Sequence, residues 1–223
     1  MKIAKLHIKP SKSQFAHTTV KYLGHVVRQG QRRPAKIKIQ AIKNFPKPTT
    51  KTQVWSSLGL AGYYRRYISQ FSVISAPLTD LLKGKCCKST INWTDDCQNA
   101  FDELKKRLTQ NPVLYSPNFS QPFIVQCDAS NIGIGVVLSR LNTKDEEYPI
   151  IFLSKKFSPT EQKYSTIERE CAAIVFAVQK LKFYLDGPHK FIIQTDHNPL
   201  VWLDENTGTN PRLFKMGFDL TTF

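Results

Sequence analysis

The sequence of 223 residues is long enough for one large or two small domains with a buried core. With 41% hydrophobic and 22% charged residues, and no apolar run near the roughly 20 residues that cross a bilayer, it fits a globular chain and excludes a membrane-spanning helix. The net charge of +15, from 32 Lys and Arg against 17 Asp and Glu, leaves two readings open: a solvated basic surface, or a polyanion partner bound through counterion release.

Residues 1–7 lack the apolar core of a signal peptide, so an intracellular location is expected. Lys and Arg recur from Lys2 to Lys51, and no Asp or Glu occurs before Asp80, the distribution a polynucleotide groove needs. Pro10 and the stretch 29–34 bracket an extended segment, Phe15 to Arg28, in which Val20 to Val27 reads as a strand or tight hairpin. A short helical pattern follows at Ile37, Ala41 and Ile42. Thr49-Thr50 offers an N-cap for a helix carrying Val54, Leu58, Ala61 and Tyr64. Another short helix is expected from Ser75 to Lys83, with Pro77 in its first turn.

The stretch 83–89 reads as a polar loop, and Trp93 to Leu108 as an amphipathic helix capped by Thr94. Pro112 and Pro117 mark a connector. Beyond Gln121 the pattern changes to three strands, Phe123 to Asp128, Gly133 to Leu138 and Tyr148 to Ser154, an antiparallel meander. Ser165-Thr-Ile-Glu168 is a capping-box pattern that opens a helix running to about Leu185, where Gly187-Pro188 stops it. Lys190 to Asp196 is a fourth strand, and a further element begins at Leu200. The order β-β-β-α-β-α gives an α/β (α+β) fold with a mixed sheet, preceded by a small, basic, mostly helical region. Five cysteines without a Cys-x-x-Cys pair, among them adjacent Cys86 and Cys87, point to reduced, partly buried thiols rather than a zinc site.

Asp128 ends the first of these strands and Asp196 the fourth, so neighbouring strands would bring both to one end of the sheet. At about 100° per residue Glu170 falls on the same half of the intervening helix as Cys171, Ile174 and Val178, and Glu168 on its flank. An inward carboxylate is costly unless paired, bound to a metal or near an edge. Three such carboxylates suit Mg²⁺, and a pair of ions about 4 Å apart can drive phosphodiester hydrolysis. The alternative is that Asp128 and Asp196 are turn or capping residues.

Taken together these residues resemble a family. Tyr22-Leu-Gly-His25 followed by Arg33-Pro34 is similar to the primer-grip region of Ty3/gypsy-type reverse transcriptases. The runs Leu58 to Tyr67 and Ala76 to Thr79 resemble the thumb that follows it. Trp93, Ala100-Phe101 and Pro112-Val-Leu114 resemble the connection into ribonuclease H. Cys127 to Ser130, Gly133 to Gly135, Tyr164 to Thr166, Glu170 and Thr195 to Leu200 resemble the ribonuclease H portion, and the matches keep family order from about residue 6 to 215. The resemblance implies three regions: 1–34 from the palm with its primer-grip hairpin, 35–117 as thumb and connection, and 118–223 as an RNase H-like domain incomplete at its C-terminus.

It places Asp128, Glu170 and Asp196 on three of the family's four catalytic, metal-binding carboxylates, with Mg²⁺ or Mn²⁺ as cofactor, and Tyr22, Leu23 and Gly24 on the primer grip. Arg65 and Arg66 are expected to touch nucleic acid. The implied activities are RNA-directed DNA synthesis and cleavage of RNA in RNA–DNA hybrids. The implied partners are RNA–DNA hybrid, DNA and the remainder of a Pol polyprotein, in a cytoplasmic particle or the nucleus, with no membrane. The polymerase Tyr-x-Asp-Asp motif is absent from the sequence, and the fourth carboxylate is expected beyond Phe223, Asp219 not being at the matching place. Non-catalytic nucleic-acid binding and host adoption remain alternatives. His25 and His197 read as hydrogen-bonded structural or substrate-adjacent residues, and Trp55, Trp93 and Trp202 as core anchors.

Overall fold

The computed structural model describes residues 9, 16–84, 91–187 and 189–196. The expectations for Cys86, Cys87, His197, Trp202, Asp219 and the element from Leu200 lie outside them. Strands β1 (Thr19–Tyr22) and β2 (His25–Arg28) form the expected hairpin. Its two-residue turn, Leu23 (φ 44) and Gly24 (φ 73), has positive φ at both positions, the twist that suits paired strands. A second such turn, Gln29 (φ 47) and Gly30 (φ 72), returns the chain into β3 (Gln31–Pro34). Strand β4 (Leu114–Tyr115) then pairs with β3 from across the connector and completes a four-stranded sheet.

Between β3 and β4 lie α1 (Lys36–Lys43), α2 (Lys51–Tyr63), a 3-10 turn (Arg65–Tyr67), α3 (Phe71–Ile74), α4 (Ala76–Asp80) and α5 (Asp95–Thr109). Thr50 and Thr94 cap α2 and α5 by accepting from the backbone N–H groups of Gln53 and Cys97. Helix α5 buries Cys97, Ala100, Phe101, Leu104 and Leu108, a stripe of three- and four-residue steps, against Val54, Tyr64, Ile68 and Leu78. Trp55 is not a core anchor: it is 73% exposed. Helix α2 buries Val54, Ser57 and Ala61, and a residue next to Val54 is turned about 100° away from that face. Trp93 does pack on the core, edge-on to Phe101.

The second sheet holds β5 (Phe123–Ala129), β6 (Gly133–Leu141), β7 (Glu147–Lys156) and β8 (Ile192–Gln194) in the order β7-β6-β5-β8. Neighbours are antiparallel except β5 and β8, which run parallel and are joined through α6 (Thr166–Leu185), as a parallel pair requires. Both arms of the Ser165–Glu168 capping box form. Glu168, expected on the flank, is 7% exposed because it folds back onto the N-cap backbone. Val125, Val136, Leu138, Ile174, Ala177 and Leu181 make the core of this half.

The two halves are in contact. Ser72 of α3 bonds Ser154 of β7 through both its backbone N–H (2.8 Å) and its hydroxyl (3.1 Å to the carbonyl). Lys156 reaches Asp80 at 2.7 Å, and Tyr115 stacks on Tyr148 with ring centroids 3.9 Å apart.

Candidate functional site

Strand β5 alternates toward its end, with Val125 and Cys127 buried and Asp128 exposed. Its parallel register with β8 runs from Ile124 beside Ile192 to Gln126 beside Gln194. Asp128 and Asp196 each lie two residues beyond that last pair, so both carboxylates leave the sheet at the same end. The pair below them is tied by Gln126 Nε2 donating to Gln194 Oε1 at 3.1 Å.

Glu170 projects from α6 onto this end of the sheet and is 5% exposed. Its Oε2 accepts from Thr195 Oγ1 at 3.2 Å, one residue before Asp196. It also lies close enough to Cys127 to act on it: the thiol is pushed up to about 12, by burial first and then by the Glu170 charge. Burial, with Glu170 and Glu168 adding to it, raises Cys171 to about 11. Cys97, Cys127 and Cys171 are free and buried, as expected of reduced structural thiols.

Asp128 has a partner from the other half of the molecule. Gln70 Nε2 donates to its Oδ2 at 2.7 Å. Among the described residues, no group of three or more His, Cys, Asp and Glu is close enough together to hold a metal ion. Asp128, Glu170 and Asp196 are oxygen donors of the kind that Mg²⁺ and Mn²⁺ take, but the three do not form such a group in this structure.

The primer-grip-like hairpin is the second feature. Tyr22 and Leu23 are 65% and 66% exposed at its tip. The tip is fixed from behind: Tyr63 Oη donates to the Leu23 carbonyl, and Tyr64 Oη to the Gly24 carbonyl at 2.8 Å. A hydrogen bond of 2.9 Å joins Tyr67 Oη and His25 Nδ1, and the His25 ring stacks on Tyr63. Glycine is required at 24, since φ is +73 and a Cβ would meet Tyr64 Oη at 3.0 Å. Burial, then the Arg32 charge, lowers the His25 pKa from its ordinary value. Burial dominates at Tyr67 too and raises its hydroxyl to about 12. His25 is thus hydrogen-bonded, as expected. Tyr64 and Tyr67 are buried packing residues, while Tyr63, Arg65 and Arg66 are exposed. Residues 1–79 contain fifteen Lys and Arg and no acid, a surplus equal to the whole net charge of +15.

Gln70 escaped sequence reasoning, since nothing local marks a glutamine 58 residues from its carboxylate. The bonds of Tyr63 and Tyr64 to the hairpin carbonyls each span 40 residues, and no local pattern marks them.

Residues 93–193 match the RNase H-like domain found in reverse transcriptase. Over 200 residues the chain is 36% identical to the retrovirus-related Pol polyprotein from transposon 297 of Drosophila melanogaster, covering 90% of this chain and 18% of the relative. Over 219 residues it is 36% identical to that from transposon gypsy of the same organism, covering 94% and 21%. The transposon Tf2-3 polyprotein of Schizosaccharomyces pombe is 29% identical over 226 residues, covering 100% and 17%. The chain therefore spans about a fifth of the length of the curated relatives it matches. A foamy viral protease–reverse transcriptase solved in complex with double-stranded DNA shares the fold, with a TM-score of 0.76 at 20% identity over 92% of this chain and 36% of that one. The foamy viral enzyme solved in complex with RNA/DNA hybrid gives 0.72 at 22% identity, over 92% and 28%.

Proposed function

We propose a function on the premise that this chain belongs with the retrovirus-related Pol polyproteins of gypsy-type and Tf2 retrotransposons, corresponds to a segment of them, and carries the RNase H-like domain found in reverse transcriptase. The function is cleavage of the RNA strand of an RNA–DNA hybrid held along the basic half of the molecule. The observation that supports it is the parallel β5–β8 register, by which Asp128 and Asp196 each follow the last paired position by two residues, with Glu170 bonded to Thr195 next to Asp196.

Asp128, Glu170 and Asp196 would hold Mg²⁺ or Mn²⁺. Such ions, when bound with substrate phosphate, activate water and stabilise the leaving oxygen. Thr195 keeps the Glu170 carboxylate turned toward the strand ends by donating to it. Gln126 and Gln194 fix the relative height of the two strands, and so of the two aspartates. In the basic half, Tyr22, Leu23 and Gly24 would meet the primer end as an apolar tip, held rigid by Tyr63 and Tyr64. Arg65 and Arg66, exposed on the adjoining turn, would neutralise backbone phosphates.

The test is release of labelled RNA from an RNA–DNA hybrid in Mg²⁺. The sequence supplies three carboxylates at matching positions, and two neighbouring dications need several negative ligands to offset their repulsion. Appending the last helix of a gypsy-type relative should raise the rate, and Asp128→Asn in the extended protein should abolish it. Cleavage by the extended protein that survives Asp128→Asn would refute the proposal.

A further inference from the structure

Segment 70–72 lies across three consecutive strands of the second sheet. The register aligns Ser154 of β7 with Gly135 of β6, and Gly135 with Asp128 of β5. Ser72 is bonded to Ser154 at the first of these positions, through its N–H at 2.8 Å and its hydroxyl at 3.1 Å. Gln70 passes over Gly135, where a Cβ would stand 2.9 Å from its Cγ. It ends on Asp128 with the 2.7 Å bond to Oδ2. Gln70 holds a left-handed backbone (φ 56), a conformation that favours Gly, Asn or Asp over a longer side chain. The side chain thus reaches Asp128 of β5 across a residue of β6 that has no Cβ. The Lys156–Asp80 ion pair at 2.7 Å and the Lys156 bond to the Ala76 carbonyl at 3.5 Å pin the following turn to β7.

We infer that Gln70 is a positioning residue for Asp128, supplied by the helical half, so that seating of α3 on the sheet sets the orientation of a carboxylate in the RNase H-like half. This rests on the reading of Asp128 as a metal-binding carboxylate. The amide N–H takes one carboxylate oxygen and restricts rotation of the group, leaving Oδ1 clear of that donor. Hydrogen bonds of this kind to a ligating group typically govern metal affinity by about 10- to 100-fold. The helical half thereby contributes to the site without contributing a ligand.

The experiment titrates the whole chain with Mn²⁺ and follows paramagnetic broadening of backbone amide signals by NMR, which reads weak binding directly. Gln70→Met keeps the length and volume of the side chain and removes the donor; it should weaken Mn²⁺ affinity by about 10-fold or more. Gly135→Ala, which displaces Gln70 without altering it, should weaken affinity in the same direction. Both should keep the wild-type pattern of amide shifts away from residues 70, 128 and 135, which separates loss of orientation from loss of fold. Asp128→Asn should remove the broadening at the strand ends. Wild-type or tighter affinity in both Gln70→Met and Gly135→Ala, with Asp128→Asn still abolishing binding, would overturn the role of Gln70 alone. Broadening that Asp128→Asn leaves intact, or none in the wild type, would overturn the metal reading and this inference with it.

Discussion

Alanine at Gly133 is expected to cost about 2 kcal/mol of stability, and alanine at Gly135, on the same strand, less than about 1 kcal/mol. A Cβ at Gly133 would stand 2.3 Å from the Lys155 carbonyl oxygen and 3.1 Å from Lys156 Cα. Both atoms are β7 backbone, so the Gly133–Lys156 end of the β6–β7 ladder has to open. Forcing extra volume against packed backbone costs about 1–3 kcal/mol, and a broken ladder bond about 0.5–1.5 kcal/mol more. The smaller entropy of the unfolded alanine chain returns about 0.5–1 kcal/mol. At Gly135 the obstructing atom is Gln70 Cγ, on a side chain that can swing away. What disappears there is the hydrogen bond to the exposed Asp128, about 0.5–1.5 kcal/mol, against the same entropic return. Equilibrium unfolding in urea measures both, the midpoints being comparable if the slopes agree. Equal midpoint shifts, or a larger shift for Gly135→Ala, would refute the assignment of a backbone obstruction to one glycine and a side-chain obstruction to the other.

Two further predictions concern the basic half. Because burial and Arg32 lower the His25 pKa, the unfolded chain takes up that proton first as the pH falls. Stability should therefore drop as pH falls through 6.5 toward the lowered folded pKa and then level off; His25→Gln should flatten that step, and a urea midpoint that rises on acidification through this window in the wild type alone would contradict it. Arg65→Glu with Arg66→Glu should weaken binding to duplex or hybrid and shrink the slope of log affinity against log salt by about one for each phosphate no longer neutralised, and an unchanged slope would remove these residues from the nucleic-acid surface.

The parts of this fold that a single sequence discloses are those with a period or a cap. The stripe of α5, the Ser165–Glu168 box and the apolar runs of β5, β6 and β7 all lie where the pattern puts them. Strand β4 and helix α3 are two and four residues long, too short to show any period, and exist through their pairing with β3 and docking on β7. Trp55 shows the limit of composition: a large aromatic on an otherwise packed helix is turned outward by one residue of phase. In the candidate site, strand-end position and helix phase are local, so the places of Asp128, Asp196 and Glu170 on their elements are legible in the sequence. The Gln70 and Thr195 bonds that orient two of them span 58 and 25 residues and depend on how the halves and layers pack.

The most direct test of the central claim is anomalous diffraction from crystals of the chain grown with an RNA–DNA hybrid in Mn²⁺. A manganese peak is expected at about 2.0–2.6 Å from carboxylate oxygens of Asp128 and at least one of Glu170 and Asp196, against a scissile phosphate, with no such peak in Asp128→Asn. Hybrid bound along residues 16–67 with manganese absent from these carboxylates, or a peak there that persists in Asp128→Asn, would contradict the claim.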